Sequence, residues 1–386
     1  MAGDEILVVG AGFAGAVLAR ELADHGRTVR VIDRRDASGG NAHDSLDPRT
    51  GYMVHRYGPH IFHTSSGAVV DWLSRFTAWT PYRHRVRALV DGRGLLPVPI
   101  NLDTVNGFFG TTLRTAAEMD ALLAQHRVAH PVIRTARDYA ESIYGRDLTE
   151  LFFARYTRTM WGRELDAMPA SVLSRLPVRR DSRDGYFEDS FQALPEQGYS
   201  ALFRRMLDHP GIRLELGTAF AHAMLASHGH VFLSMPIDEF FGYDEGVLPY
   251  RAVRFRDGYA PVGDLAGHTV PTINLTDGGP VTRRTRWSLY PGPHHPVPGT
   301  GVEPVTDELP GEARPGEDER FYPVHAADGG GEALYRRYHA RAQALQGVTF
   351  IGRCGTFRYF DMHQVVAASL GVARRHLGLP VAGEAG

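Results

Sequence analysis

Residues 6–33 read ILVVGAGFAGAVLARELADHGRTVRVID. A short apolar strand leads into a glycine-rich turn, an amphipathic helix and a second strand that ends at Asp33. In such a unit Gly10 permits a tight turn, Gly12 lets the backbone approach a pyrophosphate, and Gly15 lets helix and strand pack closely. The free N–H groups at the start of the helix would face the phosphates, and the Asp33 carboxylate would accept hydrogen bonds from ribose hydroxyls. This order therefore predicts a Rossmann-like dinucleotide site that takes an unphosphorylated ribose.

The residues after Asp33 separate the possible cofactors. After five intervening residues, 34–38, the chain continues with Gly39-Gly40-Asn41. A simple nicotinamide-binding domain has no need of this second glycine pair, whereas an acid, five residues and Gly-Gly resemble the second phosphate-side loop of large FAD-binding folds. The local alternative is an ordinary glycine turn. Joined to the first motif, the pattern predicts FAD.

Composition excludes several classes of protein. The 386 residues carry a net charge of −2, with 43% hydrophobic and 22% charged residues, which is typical of a globular chain of two or three domains. Nucleic acid and anionic membranes are not expected partners, because the chain has no polybasic field and no apolar run of membrane-spanning length. We expect a cytoplasmic protein, since the N-terminus opens with the cofactor strand rather than a signal sequence.

The basic residues and the cysteine limit the chemistry further. All 42 Lys+Arg residues are arginine, so phosphate must be held by guanidinium groups or backbone amides. P-loop phosphoryl transfer and lysine Schiff-base chemistry are excluded for the same reason. The single cysteine, Cys354, excludes an intrachain disulfide and a cysteine-cluster metal site. We predict no metal, and we interpret Cys354 as a small buried apolar residue.

Periodicity divides the chain into three kinds of structure. The fold class is α/β: a Rossmann-like FAD-binding domain with an inserted helical domain and an antiparallel β-sheet domain. The FAD-binding domain is predicted to be discontinuous, over residues 1–77, 199–240 and 346–386. Apolar residues recur at spacings of three and four over 102–175, which indicates the helical domain. The sheet domain takes 78–101, 176–198 and 241–345, and its Pro- and Gly-rich part, 291–319, is predicted to be an exposed loop.

Motifs spread over nearly the whole chain resemble those of the UDP-galactopyranose mutase family. They are GAGFAG at Gly10, GGNA at Gly39, HRYGPHIFHT at His55, YTRTMWGR at Tyr156, RLPVR at Arg175, INLTD at Ile273, VTR at Val281, FYPV at Phe321 and GRCGTFRYFDMHQV at Gly352. The resemblance implies an enzyme, an isomerase that interconverts pyranose and furanose forms of a nucleotide sugar. It also implies that the FAD acts when reduced, with its N5 atom attacking the anomeric carbon, and that no net electrons move.

The resemblance also assigns residues to the cofactor. The implied FAD-binding residues are Gly10, Gly12, Phe13, Ala14, Gly15, Asp33, Arg34, Gly40, Asn41, His60, Arg353, Asp361 and Met362. His63 would lie beside the reactive ring of the flavin and is counted with the catalytic residues, without acting as a proton-transferring base. The structural alternative for His63 is an ordinary loop histidine, and the alternative for Asp361 is a helix cap.

On the substrate side, the resemblance assigns Arg179 and Arg283 to the diphosphate, where guanidinium groups would bind phosphate oxygens and stabilise the leaving charge. The remaining substrate-binding residues would be Tyr322 and Tyr359 on the diphosphate, Asn101 and Asn274 near the sugar and ribose, Tyr156 stacked on the base and Trp161 in the cleft. For the tyrosines and asparagines the alternative is a buried polar group that satisfies its neighbours. For Trp161 it is a core position in the helical domain.

The departures from the family pattern fall on the nucleotide and sugar side. Phe191 stands where the family has a tyrosine near the phosphates, so one hydroxyl contact is missing. A dTDP-linked 6-deoxyhexose is therefore a second possible substrate beside UDP-galactopyranose, and one lost hydroxyl does not decide between them. The sequence also leaves open an amine-oxidase-like FAD oxidoreductase and an inactive flavin-binding scaffold. The mutase would need an external reductant, NAD(P)H or a reductase, and a homodimer is possible.

Overall fold

The computed structural model describes residues 3–174, 178–263 and 270–380. The predicted domain ranges also include 1–2, 175–177, 264–269 and 381–386, which lie outside the described residues, and the first three residues of the RLPVR motif are among them. The strands are β1 (Gly3–Val9), β2 (Val29–Asp33), β3 (Asp44–Leu46), β4 (Met53–His55), β5 (Phe62–Thr64), β6 (Trp79–Pro81), β7 (Val86–Val90), β8 (Gly94–Val98), β9 (Phe191–Pro195), β10 (Ile212–Leu216), β11 (His228–Leu233), β12 (Tyr250–Pro261), β13 (Thr272–Leu275), β14 (Arg283–Arg286), β15 (Val302–Glu312), β16 (Tyr322–Pro323) and β17 (Val348–Phe350).

The helices fall between these strands, with a continuous group in the middle of the chain. They are α1 (Phe13–Asp24), α2 (Gly67–Ser74), α3 (Leu102–Phe109), α4 (Ala116–His126), α5 (Ala136–Tyr144), α6 (Arg146–Leu148), α7 (Arg155–Trp161), α8 (Ser171–Ser174), α9 (Gly198–Leu207), α10 (Ile237–Phe240), α11 (Gly330–Gln343), α12 (Gly352–Gly355) and α13 (Met362–His376). A π-helical turn, Thr149–Ala154, joins α6 to α7.

A five-stranded parallel sheet forms the first layer, in the order β10-β2-β1-β11-β17. Val8 on β1 lies opposite Val31 on β2 and Phe232 on β11, so three strands contribute to one buried layer. Helices α1, α9 and α13 pack together on this side. Because the strands are parallel, the carboxyl ends of β1, β2 and β11 meet at one edge, where such sheets bind ligands. The predicted Rossmann-like fold is confirmed.

The helical segment from α3 to α8 has its own apolar core. Val105, Met119, Leu123, Ala140 and Leu148 are buried together in it. Helices α3, α4 and α5 each begin with a capping box, in which the residue before the helix and the third helical residue satisfy each other's backbone N–H groups. Local capping and periodic apolar residues therefore make this segment helical.

A seven-stranded sheet forms the third part, in the order β16-β12-β15-β14-β13-β7-β8. Its neighbours pair antiparallel except β13 and β7, which run parallel with Thr272 opposite Val86. The prediction of an exposed loop over 291–319 is wrong for Val302–Glu312, which is strand β15 between β12 and β14. Its acids look solvent-exposed in the sequence, but Glu303, Asp307 and Glu308 are buried. Each pairs with an arginine of β14, so their charges are compensated inside the sheet.

Across the described ranges, no helix combines the length and the apolar character needed to cross a bilayer.

Candidate active site

The glycine-rich turn after β1 is tightly packed. A Cβ atom at Gly10, whose φ is +103°, would lie 2.0 Å from the Ser234 hydroxyl oxygen, and one at Gly15 would lie 1.9 Å from the carbonyl oxygen of Gly10. Gly12 and Gly40 face each other, so a Cβ atom at Gly40 would lie 3.0 Å from the Gly12 Cα atom. The two loops predicted to hold the cofactor therefore meet, and side chains larger than glycine would separate them.

Asp33 ends β2 at the same edge and is held by two backbone donors. Its Oδ2 atom accepts from the Ala11 N–H group at 2.7 Å, and its Oδ1 atom accepts from the Arg35 N–H group at 2.9 Å. These bonds fix the carboxylate beside the glycine turn. A carboxylate accepts several hydrogen bonds at once, so it retains capacity for ribose hydroxyls.

A cavity of about 530 Å³ opens at this edge of the parallel sheet. Eleven of the residues predicted to bind FAD line it: Gly10, Gly12, Phe13, Ala14, Asp33, Arg34, Gly40, Asn41, His60, Arg353 and Met362. Gly15 does not line the cavity, because it packs against the turn behind it. Helix α1 begins at this cavity without a side-chain cap, so its first N–H groups are available to phosphate oxygens. The glycine cradle, the helix start and Asp33 together fit a dinucleotide of the FAD type.

A second cavity, of about 480 Å³, adjoins the first. His60, Arg353 and Met362 line both, which places the cavities side by side. The second is also lined by the predicted residues His63, Asn274, Arg283, Tyr322, Tyr359 and Asp361. Both volumes lie in the range typical of ligand-binding sites. Ligands in the two cavities would therefore meet at the shared residues.

Arg283 is a cation on the wall of the second cavity. Its Nη1 atom lies 3.4 Å from the Oε1 atom of Glu308, which is 4% exposed. Burial is the largest single effect and lowers the pKa of the Arg283 guanidinium, but Glu308, Tyr156, Tyr322 and Tyr186 together raise it well above its ordinary value. Among the described residues, the buried Nε atom of Arg283 and the buried Oδ1 atom of Asn274 have no hydrogen-bond partner. Unsatisfied polar atoms at a cavity wall indicate a site for a polar ligand.

The histidines at the cavities are held in defined orientations. The Nδ1 atom of His63 lies 2.7 Å from the Oδ2 atom of Asp189. The His63 ring stacks on the Phe187 ring, with 3.7 Å between the ring centres. The Nδ1 atom of His60 lies 2.8 Å from the carbonyl oxygen of Gly58, and burial lowers the pKa of His60 to about 3. A neutral His60 donates from Nδ1 to that carbonyl, which leaves its Nε2 atom as an acceptor.

Aromatic side chains converge where the helical segment meets the sheet. Tyr322 and Tyr359 stack at 5.4 Å, and the Trp161 ring lies 6.0 and 6.1 Å from them. The Arg353 guanidinium lies 5.3 Å from the centre of each tyrosine ring. Burial raises the pKa of Tyr322, so its hydroxyl stays protonated and can donate a hydrogen bond.

Five predicted substrate residues lie outside the lining of the two cavities. One of them is Trp161, which instead packs beside the cavity residues Tyr322 and Tyr359. Asn101 caps α3: its Oδ1 atom accepts from the Thr104 N–H group, and its side-chain amide donates to the Arg183 carbonyl. Phe191 packs against Phe62 and Trp79. Tyr156, on α7, contributes to the raised pKa of Arg283 and therefore lies within its electrostatic reach. Arg179 donates from Nε to Glu188, which does line the second cavity.

Several cavity residues were not predicted from the sequence. They are Glu188, Asp189, Glu308, His84 and His363 in the second cavity and Glu319 and Arg320 in the first. Glu308 and Glu319 fall in the stretch that the sequence predicts to be an exposed loop, where acidic residues indicate solvent exposure. The described residues contain no group of three or more His, Cys, Asp or Glu side chains arranged to hold a metal ion.

Comparisons with known proteins agree with this geometry. A family model described as UDP-galactopyranose mutase matches residues 151–359, and a model described as an NAD(P)-binding Rossmann-like domain matches residues 8–76. The chain is 38% identical to a probable UDP-galactopyranose mutase of Klebsiella pneumoniae, over 96% of this chain and 94% of that protein. It is 34% identical to a dTDP-fucopyranose mutase of Escherichia coli, over 97% of this chain and 98% of that protein.

The fold is also that of a solved mutase. A crystal structure of reduced UDP-galactopyranose mutase superimposes with a TM-score of 0.73 at 16% identity, covering 99% of this chain and 97% of that one. Both matched segments contribute to each cavity, with Gly10 and Arg353 lining the first and His63 and Arg283 lining the second. With FAD as its cofactor, this chain is an isomerase that belongs to the UDP-galactopyranose mutase family.

Proposed function

We propose that this chain interconverts the pyranose and furanose forms of a nucleotide-activated sugar through its reduced flavin. The observation that carries the proposal is Arg283, a charged side chain with an unpartnered Nε atom, in a cavity that adjoins the cofactor cavity. A diphosphate bound there would bring the attached sugar toward the shared residues His60, Arg353 and Met362. Family membership supports the same reaction.

Bound reduced FAD would supply a nucleophilic N5 atom for the anomeric carbon of the sugar. Arg283 would bind phosphate oxygens and stabilise the charge that grows on the diphosphate as the anomeric C–O bond breaks. The Tyr322 hydroxyl, kept protonated by burial, would donate a hydrogen bond to the same group. After the sugar ring has closed again through a different hydroxyl, a diphosphate oxygen would replace N5 at the anomeric carbon. Each bond broken at that carbon is then matched by one formed, so the overall reaction needs no net oxidant.

The identity of the sugar nucleotide is part of the proposal. Relatives named for a UDP-linked hexose and for a dTDP-linked 6-deoxyhexose align over nearly the whole chain at 38% and 34% identity. We propose UDP-galactopyranose as the first substrate to test and a dTDP-linked 6-deoxyhexose as the second. An external reductant, NAD(P)H or a reductase, would keep the flavin reduced. The cytoplasmic location and the homodimer stay predictions.

The test is to incubate the protein with each nucleotide sugar, with the flavin either oxidised or reduced by dithionite, and to separate the products by chromatography. The proposal predicts furanose product only from the reduced protein, without consumption of oxygen in proportion to product. Steady oxygen consumption with an oxidised substrate and no change in ring size would instead favour an amine-oxidase-like reaction.

A further inference from the structure

Arg179 and Glu188 form an ion pair at the edge of the second cavity. The Nε atom of Arg179 donates to the Oε1 atom of Glu188 at 2.8 Å. Arg179 is 4% exposed, whereas Glu188 is 55% exposed and lines the cavity. Glu188 therefore connects the buried guanidinium of Arg179 to the wall of the cavity.

The backbone also holds Arg179 on its inner side. Its Nη1 atom donates to the carbonyl oxygen of Gly185, and its own N–H group donates to the carbonyl oxygen of Ile100. These contacts hold the guanidinium from the inside of the protein, while the Glu188 side chain lies on the solvent side of the pair. A partner at 55% exposure is solvated and can exchange at small cost.

Charge gives the reason for exchange. A carboxylate and a phosphate are both anions that bind the same guanidinium edge, and the phosphate offers more oxygen atoms. We propose that Glu188 is a positioning residue that competes with the substrate diphosphate for Arg179 and thereby sets the affinity for the nucleotide. This inference rests on the proposed function and on the role that the family resemblance assigns to Arg179, which is to bind the diphosphate.

The direct test measures the dissociation constants of UDP and dTDP by calorimetry for the holoenzyme and its Glu188→Gln variant. Competition predicts that Glu188→Gln binds both nucleotides about two- to fivefold more tightly, the range expected for a solvated ion pair. The KM for the nucleotide sugar should fall by a similar factor, without a rise in kcat. Weaker binding by Glu188→Gln would overturn the proposal, because it would mean that Glu188 holds Arg179 in its binding position.

A second pair of variants separates competition from a general charge effect. In an Arg179→Ala background, Glu188→Gln should no longer tighten nucleotide binding, because the guanidinium for which Glu188 and the diphosphate compete is absent. Tightening that persists there would overturn the proposal in favour of a simple change in local potential. Glu215→Gln is the matched control, because Glu215 also pairs with an arginine through Nε, at 3.1 Å, but on edge strand β10 away from both cavities.

The single variant Arg179→Ala distinguishes the two proposals. If it weakens UDP binding while Glu188→Gln does not tighten it, Arg179 binds the diphosphate and the competition by Glu188 is refuted. If Arg179→Ala leaves UDP and dTDP binding unchanged, the diphosphate role of Arg179 fails, and the inference about Glu188 fails with it.

Discussion

Arg283 and Arg284 are adjacent in β14, and their side chains have different partners. Arg283 lies on the second cavity beside Glu308, whereas Arg284 is 41% exposed and pairs with Asp307 at 2.6 Å. Successive residues of a strand point to opposite faces of the sheet, which explains the difference. Of these two arginines, only Arg283 is therefore placed to stabilise charge on a ligand in the second cavity.

The first prediction concerns this arginine. Arg283→Ala should lower kcat for the reduced protein by about 100- to 1000-fold, since one charged donor to the developing negative charge is lost. Product chromatography measures the rate, and thermal unfolding verifies that the variant folds. Arg284→Ala is the matched control and should retain kcat within about twofold. An Arg283→Ala variant with the activity of the parent protein would contradict the assigned role.

The second prediction concerns pH and stability. Burial lowers the pKa values of His55 and His84 to about 3, whereas unfolded histidines titrate near 6.5. The unfolded chain therefore binds protons first as pH falls below about 6.5, so the stabilisation is complete above that value and is lost toward pH 3. Each histidine should lower the free energy of unfolding by about 2 kcal/mol between pH 7 and pH 5.

Denaturant unfolding of the His84→Gln variant at pH 7 and pH 5 measures how much His84 contributes to the pH dependence of the free energy of unfolding. Its loss of stability between pH 7 and pH 5 should be about 2 kcal/mol smaller than that of the parent protein. His339→Gln, at an exposed position on α11, is the control and should lose as much stability between pH 7 and pH 5 as the parent protein does. An equal pH dependence for His84→Gln and the parent protein would show that His84 is not held neutral by the fold.

At the scale of the elements, the junction of β1 and α1 depends on close backbone contact. A Cβ atom at Gly15 would meet the Gly10 carbonyl oxygen at 1.9 Å and the Val8 Cγ1 atom at 2.9 Å. The carbonyl belongs to the cofactor turn and cannot withdraw without moving that turn. The register of strand, turn and helix is therefore linked directly to FAD binding.

The third prediction follows from this contact. Gly15→Ala should destabilise the protein by about 1–3 kcal/mol and weaken FAD binding, because the helix must move away from the turn. Thermal unfolding and FAD titration of the apoprotein measure the two effects. Gly67→Ala is the control: it begins α2 in open space and should be neutral or stabilising by less than about 1 kcal/mol. Unchanged FAD affinity in Gly15→Ala would contradict the packing argument.

The same elements show how far the sequence predicts the structure. Local sequence patterns are sufficient to predict β1, α1 and β2, because each glycine and the acid have a fixed position and role within one short unit. They are insufficient to predict β15, because Glu303 and Glu308 are buried only through their ion pairs with arginines of another strand. Asn101 is the opposite case. The family resemblance assigns this polar residue to the sugar region, whereas in the structure its side chain caps the start of α3. Side-chain partners distant in sequence decided these cases.

At the scale of the whole molecule, two structural parts line one pair of cavities and a third packs beside it. The parallel sheet supplies the glycine turns and Asp33, and the seven-stranded sheet supplies Arg283 and Glu308. Helix α7 places Trp161 against Tyr322 and Tyr359. The cavities share His60, Arg353 and Met362, so a cofactor and a substrate would meet there. This arrangement suits covalent catalysis, in which the reacting atoms must be held in contact.

The most direct test of the account is to trap the reacting sugar on the flavin. The dithionite-reduced protein is incubated with UDP-galactopyranose or a dTDP-linked 6-deoxyhexose, treated with cyanoborohydride and denatured, and the released flavin is weighed by mass spectrometry. The account predicts FAD whose mass is increased by that of the sugar, from the parent protein and not from a sample kept oxidised. Unmodified FAD with every donor, in samples that nevertheless convert pyranose to furanose, would contradict attack by the flavin on the anomeric carbon.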